Sequence, residues 1–249
     1  MKNAHNTLSD RLTDLVSLVK PDKNGKLKLP PERTLVDHFN LPRFEIRDYL
    51  ATLEHLGFLK RVRGSGTFLQ MPEPGFVQLY FEMALRLGYV TEASLTKARE
   101  MLEFGIVQTA AENVADGDVE ELSNLCRLII ESDDADDSLE ADRAFHEKLA
   151  MMTRNPVIVL ISKCLGSVLN KILHQRRVIV RHSPQAASLT NRTHIAIVEA
   201  VEKRDPQLAY TAMVNHFRTW DEQYFLVTSP GNTVPNLSGA ESKPSAATV

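Results

Sequence analysis

The sequence predicts a mainly α-helical protein, with an N-terminal winged helix-turn-helix followed by an all-helical bundle of six or seven helices. Three observations lead there. From Gly75 to Phe225 apolar residues recur almost continuously at helical spacing, with no strand alternation of useful length. The first 70 residues read instead as helices followed by two short strands around Arg63-Gly64-Ser65-Gly66. Between these regions lies a short Pro/Gly linker, Gln70-Met71-Pro72-Glu73-Pro74-Gly75. The domains expected are therefore 1–70, a linker at 71–75, and a helical domain at 76–228. The tail, 229–249, is rich in Ser, Pro, Asn, Gly and Ala and reads as disordered.

In the N-terminal segment, Leu8 to Val19 is amphipathic, with Leu12, Leu15, Val16 and Val19 on one face. Leu29-Pro30-Pro31-Glu32-Arg33 opens a short helix to about Phe39, and Asn40 can take the left-handed turn conformation. A second helix starts at Pro42 or Arg43 and runs to Leu56, with Ile46, Leu50 and Leu53 inward and Gly57 as its stop. Strands over 58–62 and 67–69 complete a wing. This layout places the first half of the second helix in a DNA major groove. Arg43 and Arg47, four apart, share its exposed face and can pair with guanine or phosphate. Arg33 is placed for backbone contact, and Arg61 and Arg63 flank the wing tip at Gly64.

Candidate bundle helices cover 77–88, 92–114, 117–131, 136–153, 155–178, 186–203 and 206–226. Asn155-Pro156 and Asp205-Pro206 each fit an N-cap followed by proline at the first helical position. Asp142 and His146 project from one helix face, and His194 and His216 lie at similar heights on either side of the Arg204-Asp205-Pro206 turn. One carboxylate and three imidazoles make a first shell for a divalent metal. Asn170, His174 and Arg177 recur at helical spacing and are candidates to line a cavity beside it.

Charge supports a division of labour. Residues 1–70 carry 12 Lys+Arg against 8 Asp+Glu, while the remainder carries 17 against 24. A basic N-terminal segment on an acidic remainder suits contact with phosphate at one end only. Cys126 and Cys164 read as buried thiols of a reducing compartment. No signal peptide and no apolar run near the ~20 residues of a membrane span is read, so a cytoplasmic, nucleoid-associated protein without a membrane partner is expected.

The stretch LPPERTLVDHFNLPRFEIRDYLATLEHLGFLKRVRGSGTFL resembles the DNA-binding signature of GntR-family transcriptional regulators. Its marks are Leu-Pro-x-Glu-Arg, the Arg-x-x-x-Arg helix, Leu-Glu-x-x-Gly-Phe and Gly-x-Gly-Thr-Phe. The remainder resembles the helical effector domain of the FadR subgroup, the FCD domain. The matching pieces are Arg99-Glu100-Met101-Leu102-Glu103, Asp142-x-x-x-His146, Arg154-Asn155-Pro156, His194-x-x-Ile197-x-x-Ala200 and His216. The resemblance implies that Asp142, His146, His194 and His216 hold a divalent ion, with Zn²⁺ first and Ni²⁺ or Mn²⁺ as alternatives. It also implies a small carboxylate or hydroxy-acid effector beside the ion, Arg99 at that pocket, and a homodimer on a pseudo-palindromic operator, acting as a repressor. One departure is Pro42-Arg43-Phe44-Glu45, where the family has Ser or Thr, Arg and two small polar residues. Phe44 can meet a thymine methyl and Glu45 a cytosine amine, so an operator unlike the family's common one is expected. Two other functions fit the residues: a metal-dependent hydrolase carrying a DNA-binding module, and a sensor of the ion itself.

Overall fold

The structure, a computed structural model, describes residues 8–70 and 75–229. The Pro-rich part of the linker and the tail from 230 onward, expected to be disordered, lie outside these residues. Two compact units divide the chain, Met1–Met83 and Ala84–Val249.

In the first unit, α1 (Leu8–Leu18) is followed by β1 (Lys20–Pro21), β2 (Leu27–Lys28), α2 (Glu32–Phe39), α3 (Arg43–His55), β3 (Leu59–Val62) and β4 (Gly66–Leu69). The sheet is antiparallel in the order β1-β2-β4-β3. The hairpin β1–β2 was not expected from sequence. Its strands hold two residues each, too short to show alternation, and its turn is closed by Asp22, whose Oδ1 accepts from the backbone N–H of Asn24 and Lys26. Leu15, Leu35, Ile46, Leu53 and Leu59 form the core, each no more than 3% exposed. The turn between α2 and α3 is made by Asn40 at φ 50, and α3 stops before Gly57 at φ 81. Both lie in the left-handed region that Asn and Gly tolerate.

Helix α4 (Gly75–Arg86) runs across the boundary between the units. The second unit then contains α5 (Glu92–Glu112), α6 (Asp118–Glu131), α7 (Ala135–Met152), α8 (Pro156–Arg181), α9 (Pro184–Glu202) and α10 (Pro206–Thr228). Helix α7 packs on α5, α6 and α8, while α10 packs on α5, α8 and α9. Phe145, Leu149, Met152, Leu122, Ile197 and Met213 are fully buried between them.

Three helices of this unit start in one way. Asn155, Ser183 and Asp205 each accept from a backbone N–H of the first turn, and each is followed by proline. The Ser183-Pro184 start places α9 two residues earlier than the apolar periodicity suggested. Asp205 accepts from both Gln207 and Leu208 N–H, at 3.0 and 2.9 Å. Asp205→Ala is expected to cost about 1 kcal/mol, read from a urea unfolding midpoint.

Helix α8 departs from one expectation: it is long and apolar enough to cross a bilayer by length and composition. It nonetheless packs against α5, α7, α9 and α10 and carries Lys163, paired with Glu147, and Arg177, paired with Asp142. Those contacts are those of a bundle helix.

A candidate metal and anion site in the helical unit

Helix α7 brings Asp142 and His146 to one face, α9 supplies His194, and the antiparallel α10 returns His216 to the same level. All four side chains are buried. One ring nitrogen from each of the three histidines lies within 4.8 Å of the others. The rings of His194 and His216 are 4.6 Å apart between centroids, and Phe145 packs edge-on to His194 from below at 5.4 Å.

Neighbouring groups set the ring tautomers. The hydroxyl of Thr193 donates to the Thr190 carbonyl at 2.6 Å, so its oxygen is left to accept from His216 Nδ1 at 2.9 Å. The His216 ring therefore directs its Nε2 lone pair into the cluster. His194 Nδ1 lies 3.3 Å from the Thr190 carbonyl. His194 Nε2 faces the Asp142 Oδ1 at 2.9 Å. With Nε2 protonated, His194 donates to that oxygen; a metal-ligating His194 would give up this proton and donate from Nδ1 to the Thr190 carbonyl instead. His146 has neither nitrogen in a hydrogen bond, although it is 3% exposed. Glu103 Oε2 sits 3.1 Å from His146 Nδ1, close enough to orient the ring electrostatically but off the line of a hydrogen bond. A buried, unsatisfied imidazole nitrogen is costly. A divalent cation held by the three imidazoles would take one of the two unsatisfied His146 nitrogens, so the histidine set fits a metal; Asp142, whose Oδ1 is shared between Arg177 and His194, lies beside this group of donors rather than within it.

The electrostatics agree. Burial opposes charge on Asp142, but Arg177, with Nη2 at 2.6 Å, and His194 outweigh it and hold the carboxyl well below the usual range. Burial pushes His216 well below the ordinary imidazole value and His194 below it, the latter against the pull of Asp142. Both rings are thus kept neutral, the form that ligates. In metal-free protein the unfolded chain then binds more protons than the folded one below pH 6.5, the ordinary histidine value. Stability is expected to fall as pH drops from 6.5, whereas the contribution of Asp142 is lost only below 3.8. Urea midpoints of chelator-treated protein at pH 7.5 and 5 measure this, and His216→Asn should flatten the upper part of the dependence.

Two narrow cavities adjoin the cluster. Arg99, Leu139, Asp142, His146 and Leu173 line both. The first adds Glu103, Arg143, Lys163 and Asn170; the second adds Arg176, Arg177, His216 and Trp220. Arg99 is 9% exposed, stacked over Phe217 at 5.7 Å, and Arg177 is 5% exposed, stacked over Trp220 at 5.3 Å. Of the residues singled out in the sequence, Arg99, Asn170 and Arg177 therefore stand at the cavities. His174 does not: its Nε2 is 3.0 Å from Asp136 Oδ1, and its side chain is 39% exposed. Glu103, Thr193 and Ser138, which accepts from Arg177 Nη1 at 3.0 Å, were not assigned roles from the sequence. Only the spacing of Arg99 and Glu103, four apart on α5, hinted at one of them.

In the first unit Arg43 and Arg47 lie exposed on α3, and Phe44 beside them is 65% exposed. Glu45 is half-buried, and Arg33 is exposed on α2. Arg61 pairs with Glu54 at 2.8 Å. Arg63 and Gly64, the latter at φ 75, form the exposed turn between β3 and β4.

The family profile of the FCD domain matches residues 94–219, which run from α5 to α10 and include the whole cluster. The chain is 29% identical over 193 residues to the HTH-type transcriptional regulator YcbG of Bacillus subtilis, covering 77% of this chain and 78% of that protein. It is 28% identical over 216 residues to an Escherichia coli K12 regulatory protein named for the L-lactate dehydrogenase operon, covering 84% and 83%. Its fold is similar to that of a Streptococcus agalactiae GntR protein, with a TM-score of 0.58 at 21% identity over 85% of this chain and 96% of the other. These relatives are named as regulators of transcription, not as enzymes. An FCD domain over half the chain, behind a winged helix-turn-helix, makes this protein a member of the GntR family of transcriptional regulators.

Proposed function

We propose that this regulator binds a pseudo-palindromic operator as a homodimer, in the cytoplasm, and represses until a small organic acid binds beside a divalent metal in the helical unit. The observation that carries the reading is the histidine set: three buried imidazoles whose ring nitrogens converge, one with both nitrogens unsatisfied, with the ionised Asp142 beside them. His146, His194 and His216 would hold the ion, with Asp142 next to it. When bound, it supplies an electrophilic point for one carboxylate oxygen of the ligand. Zn²⁺ suits an imidazole-rich set, with Ni²⁺ and Mn²⁺ as the other candidates.

The surrounding residues select the charge and size of the ligand. Arg99 and Arg177 are buried cations at the cavity walls, and Arg143, Lys163 and Arg176 stand around the same openings; each now faces a carboxylate of Glu103, Asp142, Glu147 or Asp221, for which a ligand carboxylate would compete. Arginine pairs with a carboxylate through two parallel N–H groups. Asn170 can accept from or donate to a hydroxyl. The narrow cavities favour a small acid, and the relative named for the L-lactate dehydrogenase operon makes 2-hydroxy acids the first to try. Ligand-linked changes of operator affinity between ~5- and 150-fold correspond to ordinary coupling.

DNA contact falls to Arg33, Arg43, Phe44, Glu45, Arg47, Arg63 and Gly64. Arg47→Ala is expected to weaken binding to the protein's own upstream DNA by about tenfold or more, with metal content unchanged. Electrophoretic mobility shift with and without a panel of 2-hydroxy and dicarboxylic acids tests the whole reading. No acid changing the midpoint, with metal present, would overturn the effector assignment; a change with metal alone would favour the ion as the signal.

A further inference from the structure

One carboxylate oxygen in the DNA-binding unit does two jobs that the proposed function does not use. Glu32, the first residue of α2, is 28% exposed at its side chain, and its Oε1 accepts from Arg43 Nε at 2.9 Å and from Arg47 Nε at 2.8 Å. The two arginines are 69% and 58% exposed and lie four apart on one face of α3. We infer that Glu32 is a positioning residue for sequence readout: it fixes both recognition arginines through their Nε atoms and presents their paired Nη groups to DNA. The inference rests on the DNA-binding reading above.

A guanidinium can read guanine side-on, with Nε and one Nη, or end-on, with both Nη groups. With Nε donating to Glu32, the side-on mode is closed for both arginines and the end-on fork is left. A long, exposed arginine samples many rotamers, and its ordering normally opposes binding. A shared acceptor removes much of that freedom before DNA arrives, and it holds two forks in a fixed relation one helical turn apart. The charge balance matters as well. Glu32 leaves the trio at a net single positive charge, which lowers its attraction for any phosphate while leaving the oriented N–H groups intact. The arginines beside Glu32 hold its carboxyl below the ordinary range, so the clamp stays ionised at neutral pH. Geometry that favours base contact and charge that disfavours loose phosphate contact both act in the direction of specificity.

The test uses the full-length protein and Glu32→Gln, which keeps the shape and removes the charge. The probes are a duplex selected by the wild-type protein from a random-sequence pool, and a scrambled duplex of equal length. Glu32→Gln is expected to lose about tenfold or more in affinity for the selected duplex, with unchanged or tighter binding to the scrambled one. The salt dependence on the selected duplex should keep its slope, because no phosphate contact is removed. In an Arg43→Lys/Arg47→Lys background, which lacks Nε donors in that geometry, Glu32→Gln should no longer change the ratio. A structural role alone would lower the thermal midpoint and leave the selected-to-scrambled ratio where it was. An unchanged ratio, or equal tightening on both duplexes, overturns the inference and leaves the DNA-binding reading standing. A wild-type protein that enriches no sequence overturns both. If Glu32→Gln folds poorly, exchange of the arginine Nε–H protons in the wild type supplies the second measurement: fast exchange at Arg43 and Arg47 would show that no clamp exists.

Discussion

His194→Ala/His216→Ala is expected to lose at least about 100-fold in metal affinity, because removal of a single outer-shell partner already costs 10- to 100-fold. Two of the three imidazoles would be gone, and the remaining His146 and the Asp142 beside it both come from one helix, α7. Metal content after dialysis against a weak chelator should fall from near one ion per chain to background. The thermal midpoint supplies an independent reading. An ion held at about 1,000 times its dissociation constant stabilises the folded state by about 4.1 kcal/mol, so wild type should gain on metal addition and the variant should not. Both rings are buried, His194 1% and His216 5% exposed, so the alanines also leave space in the bundle. Comparison with Phe145→Ala controls for that loss. Phe145 lies fully buried against His194 and ligates nothing, so its truncation should cost about 3–5 kcal/mol in stability and leave one ion per chain. Undiminished metal content in the histidine double variant would remove these residues as ligands and with them the basis of the proposed site.

Much of the fold was legible because local signals agreed with the global arrangement. Asn155-Pro156 and Asp205-Pro206 marked helix starts that the structure places at the same residues. Asn40 and Gly57 marked the ends of α2 and α3 for the same steric reason in both descriptions. The hairpin of Lys20–Pro21 with Leu27–Lys28 was not legible. Its pairing partner is β4, some forty residues later, and two-residue strands carry no period.

The site shows the same contrast. Helix period paired Asp142 with His146, and the turn at Asp205-Pro206 paired His194 with His216; joining the two pairs rested on the resemblance to the FCD domain. Glu103 and Thr193 could not be placed, since their roles depend on which neighbouring helix each one meets. On α8 the register differed by one residue. Gly166, Leu169, Asn170, Leu173, Arg176 and Arg177 line the cavities at spacings of three and four, and His174 falls just outside that stripe. Periodicity named the face but not its edges.

Asp142→Ala should damage the metal-free protein about as much as the Phe145 truncation does. Arg177 is 5% exposed, and its Nη2 depends on Asp142 at 2.6 Å; its remaining contacts are Ser138 and the Trp220 ring, and its Nε has no hydrogen-bond partner. Removing the carboxylate leaves a buried guanidinium without its counter-charge, a change that typically costs about 3–5 kcal/mol. The cost comes from the orphaned cation, so removing it as well should recover much of the loss. Asp142→Ala/Arg177→Met is accordingly expected to unfold in urea closer to wild type than Asp142→Ala does, although it cannot restore the carboxylate beside the metal. Addition of metal separates the two roles of Asp142. The wild type should gain stability, and neither variant should gain as much. If Asp142→Ala proves nearly neutral without metal, Arg177 has another outlet for its charge. The cavity beside His146 would then hold water or an anion that takes the place of the carboxylate. If the double variant is no more stable than the single one, the pair is not an isolated couple. The energy then lies in the wider set of Asp142, His194, His216 and Glu103, and occupancy of the site must be read as a change in that whole cluster.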